Sequence, residues 1–466
     1  MRGIPSIIAN FGFFLQVTGL LLVLPIAIGL QNAEVQAVAS IIATCFICFG
    51  VGFILNSYCE RKELDETKSL LLMIITFTVL PLVLMIPYVW NNVFNSGNPI
   101  DLLTNAYFET VSGFTTTGFT FVANTQILPI SLLFYRSLVE FIGGVGFIYL
   151  LVAFLYPDRS LGAFAQAFGL EKISDNLREV FLLVMLVYTS FVVIFTVVFY
   201  FAYSPNLVLA SCAAIDVLTG GYQPSITAGF GIFQISIILL MLLGSLNFRF
   251  YYNLLHLRLR SALTREVKLY LEIIAGATLL LTVLAWINPF DSLFHVISMM
   301  SSTGVDYIGV AKTPTAAKVA FTIVMLIGGC TFSMAGGIRI QRIRLLLDAL
   351  RRKGNQPDRE ELKVVLISIT SFFVILLVLS LIFSTVGISF LDSLFEVGSA
   401  FTTNGISMGI TTVTIPLGYK WLLILAMVLG RIEIVSVFRV LSSTSLFEAV
   451  RNSFSRLGKR CKAKRP

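Results

Sequence analysis

Apolar runs of membrane-spanning length set the first limit on what this chain can fold into. Ser69–Trp90, Val180–Tyr203 and Val364–Phe383 are each 20 or more residues long. At about 1.5 Å of rise per residue, a helical run of that length matches the roughly 30 Å hydrocarbon core of a bilayer. Of the 466 residues, 57% are hydrophobic and 12% charged, against about 25% charged in soluble chains. A β-barrel would show short segments alternating apolar and polar residues, and none is seen. The sequence therefore reads as an all-α polytopic membrane protein. Its first run, Ile4–Leu30, is too long for the core of a secretory signal and no small-residue cleavage site follows it. It is expected to be a true first helix.

The charges are placed, not scattered. Stretches 61–68, 159–178, 249–268, 339–363 and 439–465, together with Arg2, hold 28 of the 33 basic residues. By the positive-inside rule these stretches and both termini are expected on the cytoplasmic side. That explains the net charge of +8 without a nucleic-acid partner. The basic tail 446–466 is read as a topology anchor that also suits anionic lipid.

Between the basic stretches the apolar pattern is interrupted four times by polar, glycine-bearing hairpins. They read Thr115-Thr116-Thr117-Gly118, Leu218-Thr219-Gly220-Gly221, Ser301-Ser302-Thr303-Gly304 and Thr402-Thr403-Asn404-Gly405. With the last glycine of each as reference, a hydroxyl stands two places earlier every time: Thr116, Thr219, Ser302 and Thr403. Phe108, Phe294 and Phe395 lie ten places before their glycines, and Ser112, Ser298 and Ser399 six places before. A further glycine follows in each unit, at Gly143, Gly244, Gly328 and Gly430. Shared polar residues at fixed offsets mark an internal repeat.

Each unit is expected to hold a long helix, a short helix of about a dozen residues, the hairpin and a second long helix. The short helix is illustrated by Leu391–Ala400, with Asp392, Ser393 and Glu396 expected to cap its start. A helix that short cannot cross a bilayer, so the chain dips in and returns. Two helices, near 5–30 and 35–57, precede the units, for about ten spans in all. The expected divisions are 1–62 for the N-terminal helices, 63–165, 166–262, 263–355 and 356–445 for the units, and 446–466 for the tail.

Irregular backbone at membrane depth is tolerated only when it is buried in protein or lines a water-filled path. Four such hairpins suggest a ring around a pseudo-fourfold pore, whose backbone carbonyls replace the hydration shell of a monovalent cation. No Asp or Glu stands at the reference glycines or the three places before them, which disfavours a divalent ion. Asp216 and Asp306 lie close by; solvated or capping roles are expected for both, with attraction of cations at the mouth as the alternative. The candidate ion-binding set is Thr116, Thr117, Gly118, Thr219, Gly220, Gly221, Ser302, Thr303, Gly304, Thr403, Asn404 and Gly405.

Two further features read as gate parts. Gly328-Gly329-Cys330-Thr331-Phe332-Ser333-Met334-Ala335-Gly336-Gly337 lies mid-helix in the third unit and is poor helix material; the alternative is a small-residue face for close helix packing. Arg431 lies at mid-membrane depth by the repeat, where a cation needs a partner or a water path. Glu433 and Glu140 are the candidate partners for a local ion pair. The alternative is a cation in the pore wall.

With only His256 and His295 as histidines and six scattered cysteines, no metal centre, cofactor or catalytic set is expected. No nucleotide-binding motif is present.

The chain resembles the Trk/Ktr/HKT superfamily of potassium uptake proteins, and in particular the TrkH type. The resemblance rests on the four hairpins, on Arg136-Ser-Leu-Val-Glu-Phe-Ile-Gly-Gly-Val-Gly146, on Gly328–Arg339 and on Leu429-Gly-Arg-Ile-Glu433. It implies K⁺ uptake across the bacterial cytoplasmic membrane, with K⁺ preferred because Gly118 is glycine. It also implies a homodimer, and a cytosolic TrkA-like NAD/ATP-binding regulatory subunit. A Na⁺- or H⁺-coupled cation symporter of the same fold is the alternative. Gly220 and Asn404 depart from the pattern.

Overall fold

The computed structural model describes residues 4–58, 64, 66–122, 124–155, 177–224, 231–351 and 359–432. The tail 446–466 and Glu433 lie outside them. Every regular element among the described residues is helical. Six helices are long and apolar enough to cross a membrane, or seven if Ile232–Ser245 and Phe248–Leu255, bent by 97°, form one span. Three others sit in the expected positions but fall short for visible reasons. Arg265–Leu284 starts with Arg265, Glu266 and Lys268. Thr315–Ile327 stops at a break, and Leu417–Ile432 runs to the edge of the described residues.

The first helices pair through glycine. A Cβ on Gly12 would lie 2.9 Å from the Leu55 Cβ, and one on Gly52 would lie 2.7 Å from the Gly12 carbonyl oxygen. In lipid, where apolar surface alone drives little helix association, such close backbone approach is what holds helices together.

The four short helices are Pro99–Phe114, Leu207–Thr219, Pro289–Met300 and Phe390–Phe401. Their starts are set by side-chain caps. Asn98, Asn206 and Asn288 each accept a backbone N–H of the first turn, and proline follows directly at Pro99 and Pro289. The fourth is capped by Ser389, which accepts the Asp392 N–H and donates to the Asp392 carboxylate. The expected capping role of Glu396 is thus overturned. That side chain is fully buried and bonds elsewhere.

The outgoing helix of each unit packs on the short helix of the next. Ile130–Leu155 lies against Leu207–Thr219, and Ile232–Ser245 against Pro289–Met300. Thr315–Ile327 lies against Phe390–Phe401, and Leu417–Ile432 returns to Pro99–Phe114. The units therefore close in chain order.

Candidate functional site

The hairpins meet at the centre of this closed arrangement. A Cβ on Gly118 would fall 2.1 Å from the Gly221 carbonyl oxygen, one on Gly304 1.7 Å from that of Asn404, and one on Gly405 1.9 Å from that of Thr117. One on Gly220 would fall 2.4 Å from the Ser302 carbonyl oxygen. Each hairpin thus abuts the next, and the fourth abuts the first. No side chain fits at these glycines, and at Gly118, Gly304 and Gly405 φ is +87°, +72° and +78°, a region glycine alone enters freely.

Thr116, Ser302 and Thr403 also have positive φ, at 57°, 57° and 53°. For a β-branched threonine this is a true outlier, costing on the order of 1–3 kcal/mol. Its recurrence at one position of three units ties the strain to what the hairpins do.

The second unit corrects the sequence register. Thr117, Thr303 and Asn404 each donate their N–H to a carbonyl five residues back, at Ser112, Ser298 and Ser399. Gly221 donates in the same way to Asp216. The hydroxyl of Thr219 bonds the Ile215 carbonyl as Thr115 and Thr402 bond theirs. Gly143 and Gly430 press on the carbonyls of Phe114 and Phe401, and Gly244 on that of Leu218. All three comparisons make Tyr222, not Gly221, the counterpart of Gly118, Gly304 and Gly405. Gly220 and Gly221 then stand where the other units have Thr116 and Thr117, and Gly220 takes the positive φ, at 82°. The expectation that Thr219 is a counterpart of Thr116 is overturned for the same reason.

A set of anchors that the sequence reading missed fixes the chain after each hairpin. Nine residues before the reference position stand Glu109, His295 and Glu396. Glu109 accepts from the Thr120 hydroxyl and the Phe121 N–H at 2.8 and 2.9 Å. Glu396 accepts from the Ser407 hydroxyl and the Met408 N–H at 2.6 and 2.7 Å. His295 meets Asp306 at 3.2 Å. The second unit has Ala213 there. Its hairpin is held instead by Glu140 of the first unit's outgoing helix, which accepts from the Thr219 hydroxyl and the Tyr222 N–H. Glu109 also pairs with buried Arg136 at 2.6 Å, and Arg136 lies 3.8 Å over the Tyr222 ring. The recurring acids were legible as a shared offset, but their bonds were not.

Asn404, a departure in sequence, donates its amide to the Met299 carbonyl of the third unit at 2.8 Å. Asp306 caps Gly309 and Val310 through their N–H groups, as expected for a capping role. Asp216 is buried and not solvated. Above the hairpins opens a cavity of about 330 Å³, with Gly118, Tyr222, Gln223, Asp306, Gly405 and Ser407 in its wall.

Below the hairpins, the third outgoing helix breaks at Gly328, φ +73°, and helix resumes only at Ile340. The intervening segment crosses to the other units. Met334 N–H donates to the Gly244 carbonyl and Cys330 N–H to that of Ser245, at 3.2 and 3.1 Å. Gly336 N–H donates to the Ser302 hydroxyl at 3.0 Å. A Cβ on Gly144 would lie 3.1 Å from the Met334 sulfur. Gly329 lies against Ala335 and Met300, and Gly337 against Gly328. Buried Glu266, unforeseen from sequence, accepts from Thr331 N–H at 2.6 Å and from the Asn247 amide at 2.9 Å, joining this break to the bend in the second unit.

Arg431 is 2% exposed. It donates to the carbonyls of Met334 and Gly144 at 3.0 and 3.4 Å and lies 4.5 Å from the centre of the Phe147 ring. Among the described residues it forms no ion pair. Glu140, one candidate partner, is engaged on the second hairpin, and Glu433 is outside the described residues.

A closed set of four hairpins within a helical bundle with several membrane-length helices suits membrane transport, and the relatives are transporters. Residues 276–448 match the TrkH family, described as cation transport protein. An uncharacterized cation transporter of Methanocaldococcus jannaschii is 25% identical over 97% of this chain and 98% of its own. The Trk system potassium uptake protein TrkH of Salmonella typhimurium is 25% identical, over 86% of this chain and 91% of its own. The Trk system potassium uptake protein TrkI of Halomonas elongata is 28% identical, over 79% and 80%. The crystal structure of the potassium transporter TrkH from Vibrio parahaemolyticus shares the fold, with a TM-score of 0.80 over 95% of this chain and 99% of that one, at 21% identity. Over residues 276–448 the chain is thus similar to the TrkH cation transport proteins, and its fold is that of the TrkH crystal structure.

Proposed function

We propose that this protein carries K⁺ inward across a bacterial cytoplasmic membrane, through a filter built from backbone at the four hairpins. The observation that carries the reading is the ring of contacts in which Gly118, Gly304 and Gly405 each meet a carbonyl of the neighbouring hairpin, together with the repeated strain at Thr116, Ser302 and Thr403. Backbone carbonyls held in that way suit a dehydrated monovalent cation. The names of the relatives support K⁺ as the ion. The ring in the second unit is supplied by Gly220, Gly221 and Tyr222.

The Gly328–Gly337 segment and Arg431 form the gate in this reading. They lie against all four units below the filter, and a positive charge there opposes a cation in the path. The basic stretches support cytoplasmic termini, and this reading keeps the unit divisions expected from the sequence. Assembly as a homodimer and control by a cytosolic nucleotide-binding subunit of TrkA type rest on the family resemblance. The units repeat in one orientation, unlike the inverted repeats usual in secondary carriers, which favours a pore over a carrier of that build. Rb⁺ uptake into proteoliposomes of the purified protein tests the reading. Uptake inhibited by K⁺ and not by Na⁺ is expected. Equal inhibition by Na⁺ contradicts it.

A further inference from the structure

Gln223 follows Tyr222, at the place where the other units carry buried Phe119, Val305 and Ile406. Its own side chain is exposed in the cavity above the hairpins. The amide donates through Nε2 to the carbonyl of Gly304 on the adjacent unit. Its Oε1 accepts from the Asp306 N–H at 3.4 Å. The two contacts fix the amide orientation, because a flipped amide would set acceptor against acceptor and donor against donor.

We infer that Gln223 is a tethered donor that competes with the entering cation for the Gly304 carbonyl, and so sets the external affinity of the transporter. The inference rests on the filter reading above. A cation shedding water at the mouth needs that carbonyl as a ligand. An amide N–H already bonded to it must first move aside, and until then it presents partial positive charge to the ion. Three units have an apolar residue here, so the effect belongs to one quadrant and is adjustable without altering the rest of the ring.

The test is the concentration dependence of Rb⁺ uptake by the full chain in proteoliposomes. Gln223→Ala removes the donor, and the half-saturating Rb⁺ concentration is expected to fall several-fold. Gln223→Glu keeps the shape, replaces the donor by an anion and is expected to lower it further. A half-saturating concentration unchanged or raised in both variants overturns the inference. So does a loss of maximal rate alone, which is what a merely structural contact would give. Gly118→Ser is measured in parallel. If it raises Na⁺ flux while the Gln223 variants leave half-saturation in place, the inference fails and the filter reading stands. If it leaves Na⁺ flux unchanged, the filter reading fails and the inference with it.

Discussion

Arg431 and Met334 are joined across two units: the guanidinium Nη1 donates to the Met334 carbonyl at 3.0 Å. The fourth outgoing helix and the broken segment of the third are therefore tied together through Arg431. At about 6 Å and an effective dielectric near 20, a cation opposes K⁺ by roughly 2–3 kcal/mol, worth tens of fold in rate. Arg431→Ala is expected to raise Rb⁺ flux by about tenfold or more, and Arg431→Lys to keep most of the block. Lower melting temperature without a gain in flux would show that Arg431 is structural only.

The second prediction concerns the segment itself. Removing part of Gly328–Gly337, or cutting its anchor with Glu266→Ala, is expected to raise basal Rb⁺ uptake. The anchor argument is specific, since Glu266 holds both Thr331 and Asn247. Folded variants with wild-type flux would make the segment packing and not gate.

The Glu109/Arg136 pair should dominate the stability of the first and second units. Both side chains are buried, and Glu109 also holds Thr120 and Phe121. Removing one partner leaves an uncompensated buried charge, at about 3–5 kcal/mol. Arg136→Ala is expected to lower the melting temperature in detergent sharply, and Glu109→Ala together with Arg136→Ala to lower it by less than the sum. Additive effects would contradict the coupling.

Asp306 gives a pH dependence. It lies on the stretch after the third hairpin, outside the apolar spans. Burial opposes its charge, but the His295 ring and the N–H groups of Val310 and Gly309 outweigh it and hold the carboxyl below the usual carboxylate range. A depressed folded value means that the stabilisation is complete above the unfolded pKa, about 4, and is lost as pH falls through the folded value. Wild type should lose melting temperature below about pH 4, and Asp306→Asn should start lower at neutral pH and show a flatter acid limb. Parallel acid limbs would remove Asp306 from the account.

Much of this was legible in the residue order, for physical reasons that also mark where reading stops. The hairpins stood out because glycine and hydroxyl residues are costly inside apolar runs, as at Thr115–Gly118. The units were legible because packing behind the hairpins requires glycine at fixed offsets, as at Gly143 and Gly430. The second register was not, since Thr219-Gly220-Gly221-Tyr222 aligns equally well in two ways, and only the bonds to Asp216 and Ile215 and the packing of Gly244 on Leu218 separate them. Arg431 bonds backbone carbonyls, which leave no trace in residue type. Asn404 read as a departure because its partner, the Met299 carbonyl, is backbone too.

The filter itself is tested most directly at Gly118. Its φ of +87° and the Gly221 carbonyl oxygen 2.1 Å from where a Cβ would stand leave no room for a side chain without moving that carbonyl. The measurement is the Na⁺ to K⁺ permeability ratio of Gly118→Ser from reversal potentials in planar bilayers, beside wild type. The predicted result is a clear rise in relative Na⁺ permeability in folded, conducting protein. An unchanged ratio in that same protein would place the ion path elsewhere than the ring of Gly118, Gly304 and Gly405.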